Sequence, residues 1–203
     1  MTNLAAPCAI VDSFLPQQIA AQLLDEMIAA APLFTPSLVG GPDKGADSPG
    51  IRSSLRLPGR VGVDLTVFRE AIAANSSRLC VAIGIQPFPV YHTECSIVAH
   101  GDRHFYRTHI DTRTGQREGR SSHVRVVSCV YYLHREPKAF FGGALKMHGL
   151  GERHSTPSSA SIEPMHNRLV AFPSFIPHEV EDITCPSKDF DDSRFSINCW
   201  LHR

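Results

Sequence analysis

The sequence predicts a mainly β chain with flanking helices, of α+β class. Two observations carry that prediction. From Pro89 onward, short runs suited to strands alternate with turn signals. Before that point, apolar residues recur twice at helical spacing. The β half is consistent with a double-stranded β-helix, the jelly-roll (cupin-like) form in which two antiparallel sheets face each other. The expected organisation is a single domain over residues 1–203, with about 1–86 as a helical support and lid region and about 87–203 as the jelly-roll core.

Taken in order, the first element is a helix. Pro16 suits a first helical position, and Ile19, Leu23, Met27 and Ala30 recur at helical spacing until Pro32 stops the run. Residues 33–60 are rich in Gly, Pro, Asp and Ser, which predicts a loop. The alternating Ile51-Arg52-Ser53-Ser54-Leu55-Arg56-Leu57 predicts a strand at its end. A second helix is expected from about Asp64, an N-cap residue type, to near Val81, with Val67, Ala71, Ala74 and Leu79 turned inward.

Three later stretches carry chemistry. If residues 105–111 form a strand, His109 and Asp111 share a face about 6.6 Å apart along the chain, with Ile110 pointing away. His178-Glu179-Val180-Glu181 reads as a short strand that brings a second imidazole. Two histidines and one carboxylate form a facial triad, a set that suits iron(II) and leaves positions open for other ligands. A bare His-x-Asp is a weak signal in a chain with eleven histidines, so the surroundings decide. The third stretch alternates strictly: Phe195, Ile197, Cys199 and Leu201 form one face, and Arg194, Ser196, Asn198 and Trp200 the other. A guanidinium grips a carboxylate through two parallel hydrogen bonds, which would fix an anionic acid beside the metal. The bland reading of Arg194 is a surface ion pair.

Assembled, these residues resemble the Fe(II)/2-oxoglutarate-dependent dioxygenases, in their prolyl 4-hydroxylase-like branch. Besides residues 105–111, the matching stretches are Val130-Tyr131-Tyr132-Leu133, Phe141-Gly142-Gly143-Ala144-Leu145, Ile162-Glu163-Pro164, Asn167-Arg168-Leu169-Val170-Ala171-Phe172-Pro173, Pro177-His178-Glu179-Val180, and Arg194 through Trp200. They follow the family's order over about half the chain. The resemblance implies that His109, Asp111 and His178 ligate Fe(II) and act in catalysis. It implies that Arg194 and Tyr132 bind the distal carboxylate of 2-oxoglutarate, and that Asn198 and Trp200 line the pocket near both. It further implies O2 as a co-substrate and hydroxylation of an unactivated C–H bond with release of succinate and CO2, and it admits ascorbate as an accessory. Asp111 argues for hydroxylation, because members that halogenate carry a small residue there. The chain departs from the family in two places. His100 stands where many relatives have tyrosine, and residues 185–192 lengthen the interval before Arg194.

The family-level substrate is a prolyl residue of a peptide or protein, with a free amino acid or small metabolite as the alternative. Two rival classes stand beside this: a cupin-like oxygen-using metal enzyme without a keto acid, and a non-catalytic jelly-roll sensor of a metal or metabolite. Substrate-holding lids are expected in residues 112–120 and 40–50, where Arg113, Arg117 and Arg120 would meet an acidic substrate unless they are simply solvated.

Composition is compatible with this reading. The chain has 203 residues and balanced formal charge, with arginines dispersed singly, so it lacks the positive stripe of a nucleic-acid binder. Cys8, Cys80, Cys95, Cys129, Cys185 and Cys199 show no C-x-x-C pairing and are expected as reduced, mostly buried thiols. No apolar run approaches membrane-spanning length, and a cytoplasmic enzyme is expected.

Overall fold

Among the described residues, twelve short strands build two facing sheets, two more form a small sheet beside them, and two α-helices pack against one of the large sheets. The structure is a computed structural model and describes residues 6–39, 50–59, 62–112, 124–149 and 159–203. In chain order the strands are Ala9–Val11 (β1), Thr35–Pro36 (β2), Arg52–Ser53 (β3), Leu55–Arg56 (β4), His92–His100 (β5), Phe105–His109 (β6), Arg125–Leu133 (β7), Phe141–Gly142 (β8), Leu145–His148 (β9), Ser159–Ile162 (β10), Arg168–Pro173 (β11), His178–Val180 (β12), Ile183–Thr184 (β13) and Arg194–His202 (β14); the helices are Gln17–Ala29 (α1) and Thr66–Ala82 (α2). One sheet has seven strands in the order β1-β11-β7-β14-β5-β4-β2, and the other has five in the order β10-β9-β12-β6-β3. All the pairings within both are antiparallel. This is the jelly roll, and β8 and β13 form a small two-stranded sheet beside it.

Alternation along the strands of the large sheet separates two interiors. Phe195, Ile197, Cys199 and Leu201 of β14 lie in one core with Tyr131, Leu133 and Leu169 of neighbouring strands and with Leu23, Met27, Phe68 and Ile72 of the helices. The opposite face contributes Val130, Tyr132, Val170 and Phe172 to a second core, which the five-stranded sheet closes with Leu145, Met147 and Ile162. The period-2 face assignment made for residues 194–201 therefore separates a helix-packed face from an inter-sheet face.

The helices differ in detail from their expected form. Helix α1 ends at Ala29, and the chain around Pro32 continues as a 3-10 turn over Ala31–Leu33. In α2 the buried residues are Phe68, Ile72, Leu79 and Cys80, whereas Val67 is 44% exposed. The helix is rotated by about one position, 100°, because burying Phe68 and Ile72 removes more apolar surface than burying Val67, Ala71 and Ala74. Asp64 does cap, but one step early: its Oδ1 accepts the Thr66 N–H at 2.9 Å, while Leu65 holds the N-cap position.

The alternating stretch 51–57 is not one strand. It breaks at Ser54, so that β3 extends the five-stranded sheet beside β6 and β4 extends the seven-stranded sheet beside β5. Residues before position 87 thus contribute strands to both sheets as well as helices. The expected lids at 40–50 and 112–120, with Arg113, Arg117 and Arg120, fall almost wholly outside the described residues.

Candidate active site

The metal-type donors meet because the register of the five-stranded sheet makes two histidines neighbours. His109 of β6 is the direct partner of His178 of β12, with ring centroids 4.2 Å apart. Strand β6 ends at His109, so Asp111 is not on a strand as expected. The backbone turns there because the N–H groups of Asp111 and Thr112 both donate to the Ser174 carbonyl, at 2.9 and 3.0 Å. That turn returns the carboxylate to the imidazoles. Asp111 Oδ1 lies 3.8 Å from His109 Nε2, and Oδ2 lies 3.6 Å from His178 Nε2. The three donor atoms lie within 4.8 Å of one another, the one such group of three among the described residues.

The protonation pattern suits a cation. His109 Nδ1 lies 2.9 Å from the Arg107 carbonyl and His178 Nδ1 2.9 Å from the Ile176 carbonyl. A carbonyl only accepts, so both Nδ1 atoms donate, and both Nε2 atoms are left facing Asp111. Burial, followed by the nearby His178, lowers the His109 pKa to about 4. Burial alone would raise the Asp111 carboxyl, but His178, His109 and hydrogen bonds from Ser128 and Trp200 outweigh it and hold it below the usual range. Ser128 Oγ donates to Asp111 Oδ2 at 2.7 Å and contacts Ser174 Oγ at 2.9 Å. Two imidazoles that turn Nε2 inward and an ionised carboxylate, each oriented from behind, fit a divalent iron ion.

A second feature lies on the inward face of the large sheet. Arg194 is 1% exposed, and its direct partner across β5 is His100. Its Nη1 donates to His100 Nδ1 at 3.4 Å, and its guanidinium carbon is 4.7 Å from the Tyr132 ring centroid. Buried polar atoms with no hydrogen-bond partner cluster here: Arg194 Nε and Nη2, Tyr132 Oη, His100 Nε2, Ser196 Oγ and Arg56 Nε. Register explains the cluster. Arg56 pairs with Val98, Val98 with Ser196, and Ser196 with Tyr132, so these side chains form one row, with Arg194 and His100 in the next inward-facing row. Burial pulls the Arg194 pKa down and pushes the Tyr132 pKa up; each group partly offsets the other's shift, yet Tyr132 Oη completes no hydrogen bond of ordinary geometry. Unsatisfied buried donors are costly, and the distal carboxylate of a dianionic keto acid would satisfy those of Arg194 and Tyr132.

Of the other residues singled out in the sequence, Trp200 hydrogen-bonds to Asp111, and its ring lies 3.8 Å from the Arg125 guanidinium. Asn198 sits half-buried on the same strand face, opposite Val130 and Ser96. The sequence reading missed Ser128, Tyr106, Arg52 and Arg56. Tyr106 stacks on His109 with centroids 3.6 Å apart, and the Arg52 guanidinium carbon lies 4.6 Å from the centroid of that phenol. The alternation of residues 51–57 places Arg52, Ser54 and Arg56 on one side and could have flagged the two arginines. Nothing in the apolar run around Ser128 sets it apart.

Comparison with known proteins agrees with this geometry. The family model described as the 2OG-Fe(II) oxygenase superfamily matches residues 95–202. An uncharacterized PKHD-type hydroxylase of Synechocystis sp. is 33% identical over 141 residues, which are 68% of this chain and 45% of the relative. The chain therefore spans under half the length of that curated relative. In fold, the chain is similar to a Pseudomonas putida prolyl-4-hydroxylase, with a TM-score of 0.64, 24% identity, and coverage of 98% of this chain and 93% of that one. It is also similar to a prolyl hydroxylase of Trichoplax adhaerens solved with a hypoxia inducible factor oxygen degradation domain peptide fragment, with a TM-score of 0.69, 18% identity, and coverage of 96% and 83%.

Proposed function

The chain belongs to the 2OG-Fe(II) oxygenase superfamily, and on that premise we propose that it is a dioxygenase that hydroxylates an unactivated C–H bond of a peptide-like substrate. The observation that carries the proposal is the coexistence, between the same two sheets, of the His109–Asp111–His178 donor set and a buried Arg194 that has no carboxylate partner among the described residues. A keto-acid-independent metal enzyme gives the first feature a purpose and leaves the second without one, whereas a non-catalytic sensor would keep both and make no succinate.

Ferrous iron, 2-oxoglutarate and O2 together supply an oxidant strong enough for an aliphatic C–H bond, with succinate and CO2 as the other products. The protein's own residues bind and orient the reactants. His109 and His178 turn their Nε2 atoms toward the site because the Arg107 and Ile176 carbonyls accept from Nδ1. Asp111 supplies the anionic donor, and Ser128 and Trp200 keep its carboxylate from rotating. Arg194 and Tyr132 would hold the distal carboxylate of 2-oxoglutarate, and their burial would keep competing water from it. Asn198 and Trp200 line the space between the two sets.

The peptide bound to the Trichoplax neighbour and the hydroxylase name of the cyanobacterial relative support a prolyl residue of a peptide or protein as substrate. Residues 1–203 are read as one domain, since strands from the N-terminal part complete both sheets. The test is reconstitution with Fe(II) and 2-oxoglutarate under argon, followed by admission of O2 and measurement of succinate. Succinate formation that rises on adding proline-containing peptides is expected. Failure to bind Fe(II), or binding without any consumption of 2-oxoglutarate, would refute the assignment.

A further inference from the structure

Two arginines reach the same space from opposite sheets. Arg52 lies on β3 and pairs with Tyr106, which pairs with Val180; that row faces inward from the five-stranded sheet. Arg56 lies on β4 in the row of Val98, Ser196 and Tyr132, which faces inward from the seven-stranded sheet. The break at Ser54 lets the five residues from Arg52 to Arg56 span the two sheets. Ser54 is itself held there, accepting from Arg52 Nε at 2.8 Å and donating to Ser37 Oγ at 2.9 Å.

The two guanidiniums are near enough for the charge of Arg56 to oppose that of Arg52, and Asp111 also acts on Arg52. Neither makes an ion pair with an acid among the described residues, and Arg56 Nε is buried without a partner. Two half-buried like charges in one chamber are costly unless something anionic joins them. Iron(II) and 2-oxoglutarate do not: bound together, their charges cancel. Asp111 answers one cation, and Arg52, Arg56 and Arg194 are three, so two positive charges remain after the chamber is loaded. Arg52 also lies 4.6 Å from the centroid of the Tyr106 ring, which stacks on His109. An anion held by Arg52 therefore lies beside Tyr106, one side chain away from the donor His109.

Resting on the oxygenase reading above, we propose that Arg52 and Arg56 form the substrate-selecting site and bind a carboxylate of the substrate, so that the C–H bond to be oxidised belongs to an acidic molecule. That carboxylate comes either from an acidic residue beside the target in a peptide or from the main-chain carboxylate of a free amino acid.

The test is calorimetric binding under argon to protein loaded with Fe(II) and 2-oxoglutarate. Two matched pairs of probes are used: a blocked tripeptide with glutamate beside proline against its glutamine counterpart, and free proline against prolinamide. In one pair the acidic member is expected to bind about ten-fold or more tightly, as a charge-assisted bidentate contact provides. The pair that shows the difference identifies the source of the carboxylate. In R52Q/R56Q the preference falls to about two-fold or less, whereas R52K/R56K, which keeps the charges, retains part of it. The affinity of all forms for 2-oxoglutarate is measured alongside and stays within about two-fold. The proposal is overturned by the absence of a preference in both pairs, by a preference that survives in R52Q/R56Q, or by a parallel loss of 2-oxoglutarate affinity, which would assign the arginines to the co-substrate. Wild-type protein that binds no 2-oxoglutarate would instead remove the oxygenase reading, and this inference with it.

Discussion

His100 and Arg194 are direct partners across two neighbouring strands, and the guanidinium Nη1 lies 3.4 Å from His100 Nδ1. A guanidinium can only donate, so His100 must accept through a neutral ring. Burial, then the charges of Arg194 and Arg52, hold its pKa well below the ordinary histidine value. The unfolded chain therefore takes up a proton near pH 6.5 that the folded chain refuses. Stability is full above about pH 6.5 and is lost as pH falls from there through the folded pKa, with a slope of about 1.4 kcal/mol per pH unit for this group. Denaturant unfolding of the metal-free protein between pH 7.5 and 4.5 should show the decline, and His100→Gln should flatten it. A profile unchanged by that substitution would place the shift elsewhere.

Arg194 stores instability in the free protein. Its buried charge meets no carboxylate among the described residues, and such a charge costs several kcal/mol, roughly, after relaxation. Arg194→Met should therefore leave the apo protein as stable or raise its Tm by a few degrees, since about 1 kcal/mol moves a domain of this size roughly 2–4 °C. The same change should weaken 2-oxoglutarate binding on the order of 10²-fold. In the wild type, saturating 2-oxoglutarate with Fe(II) should raise Tm by linkage, and the variant should lose that rise.

Gly143 makes room for that arginine. Its φ is +71°, and an added Cβ would lie 2.7 Å from Ile183 Cγ1 and 3.0 Å from Arg194 Cδ. Gly143→Ala should cost about 1–3 kcal/mol, from left-handed backbone strain and overpacking. Because one of the displaced atoms belongs to Arg194, 2-oxoglutarate affinity should fall as well. Urea unfolding and calorimetry on the same preparation separate the two effects, and a loss of stability with intact affinity would show that Ile183 alone gives way.

The thiols should behave as core. Cys95, Cys199 and Cys129 lie side by side across three adjacent strands, and burial with neighbouring thiols pushes Cys129 up to about 12. Thiolates do the reacting, so these positions should be slow toward a disulfide reagent in the native protein. Half-buried Cys8, which lies outside that row, should react first. Peptide mapping after brief labelling checks the order.

The sequence made the donor set legible because chemistry constrains it tightly: His109, Asp111, His178 and Arg194 are residue types with few other reasons to occur in that order. It misjudged how Asp111 arrives, since strand periodicity was extended past His109 to a residue that a Ser174 carbonyl turns inward. It read residues 51–57 as one strand because alternation does not say which sheet each half joins; the break at Ser54 is a tertiary fact. Apolar periodicity also could not choose between the Val67 and Phe68 faces of a helix, which differ by one residue and are decided by packed area. The row of Arg56, Ser196 and Tyr132 depends on register between strands far apart in sequence, information that no single segment carries.

Ser128 tests whether the metal site extends beyond its three donors. It lies mid-strand on β7, 1% exposed, and its hydroxyl donates to Asp111 Oδ2 at 2.7 Å while touching Ser174 Oγ at 2.9 Å. Removing it leaves the carboxylate held by Trp200 alone from behind, free to rotate away from the His178 side, and leaves Ser174 Oγ short of a partner. Residues that orient metal ligands typically change metal affinity about 10–100-fold. Ser128→Ala should therefore weaken Fe(II) binding under argon by roughly ten-fold or more, with a stability loss of only about 1 kcal/mol for one hydrogen bond. Ser128→Thr keeps the hydroxyl and should recover much of the affinity. Unchanged Fe(II) affinity in Ser128→Ala would mean that the turn at Ser174 and the Trp200 contact suffice to hold Asp111 in place.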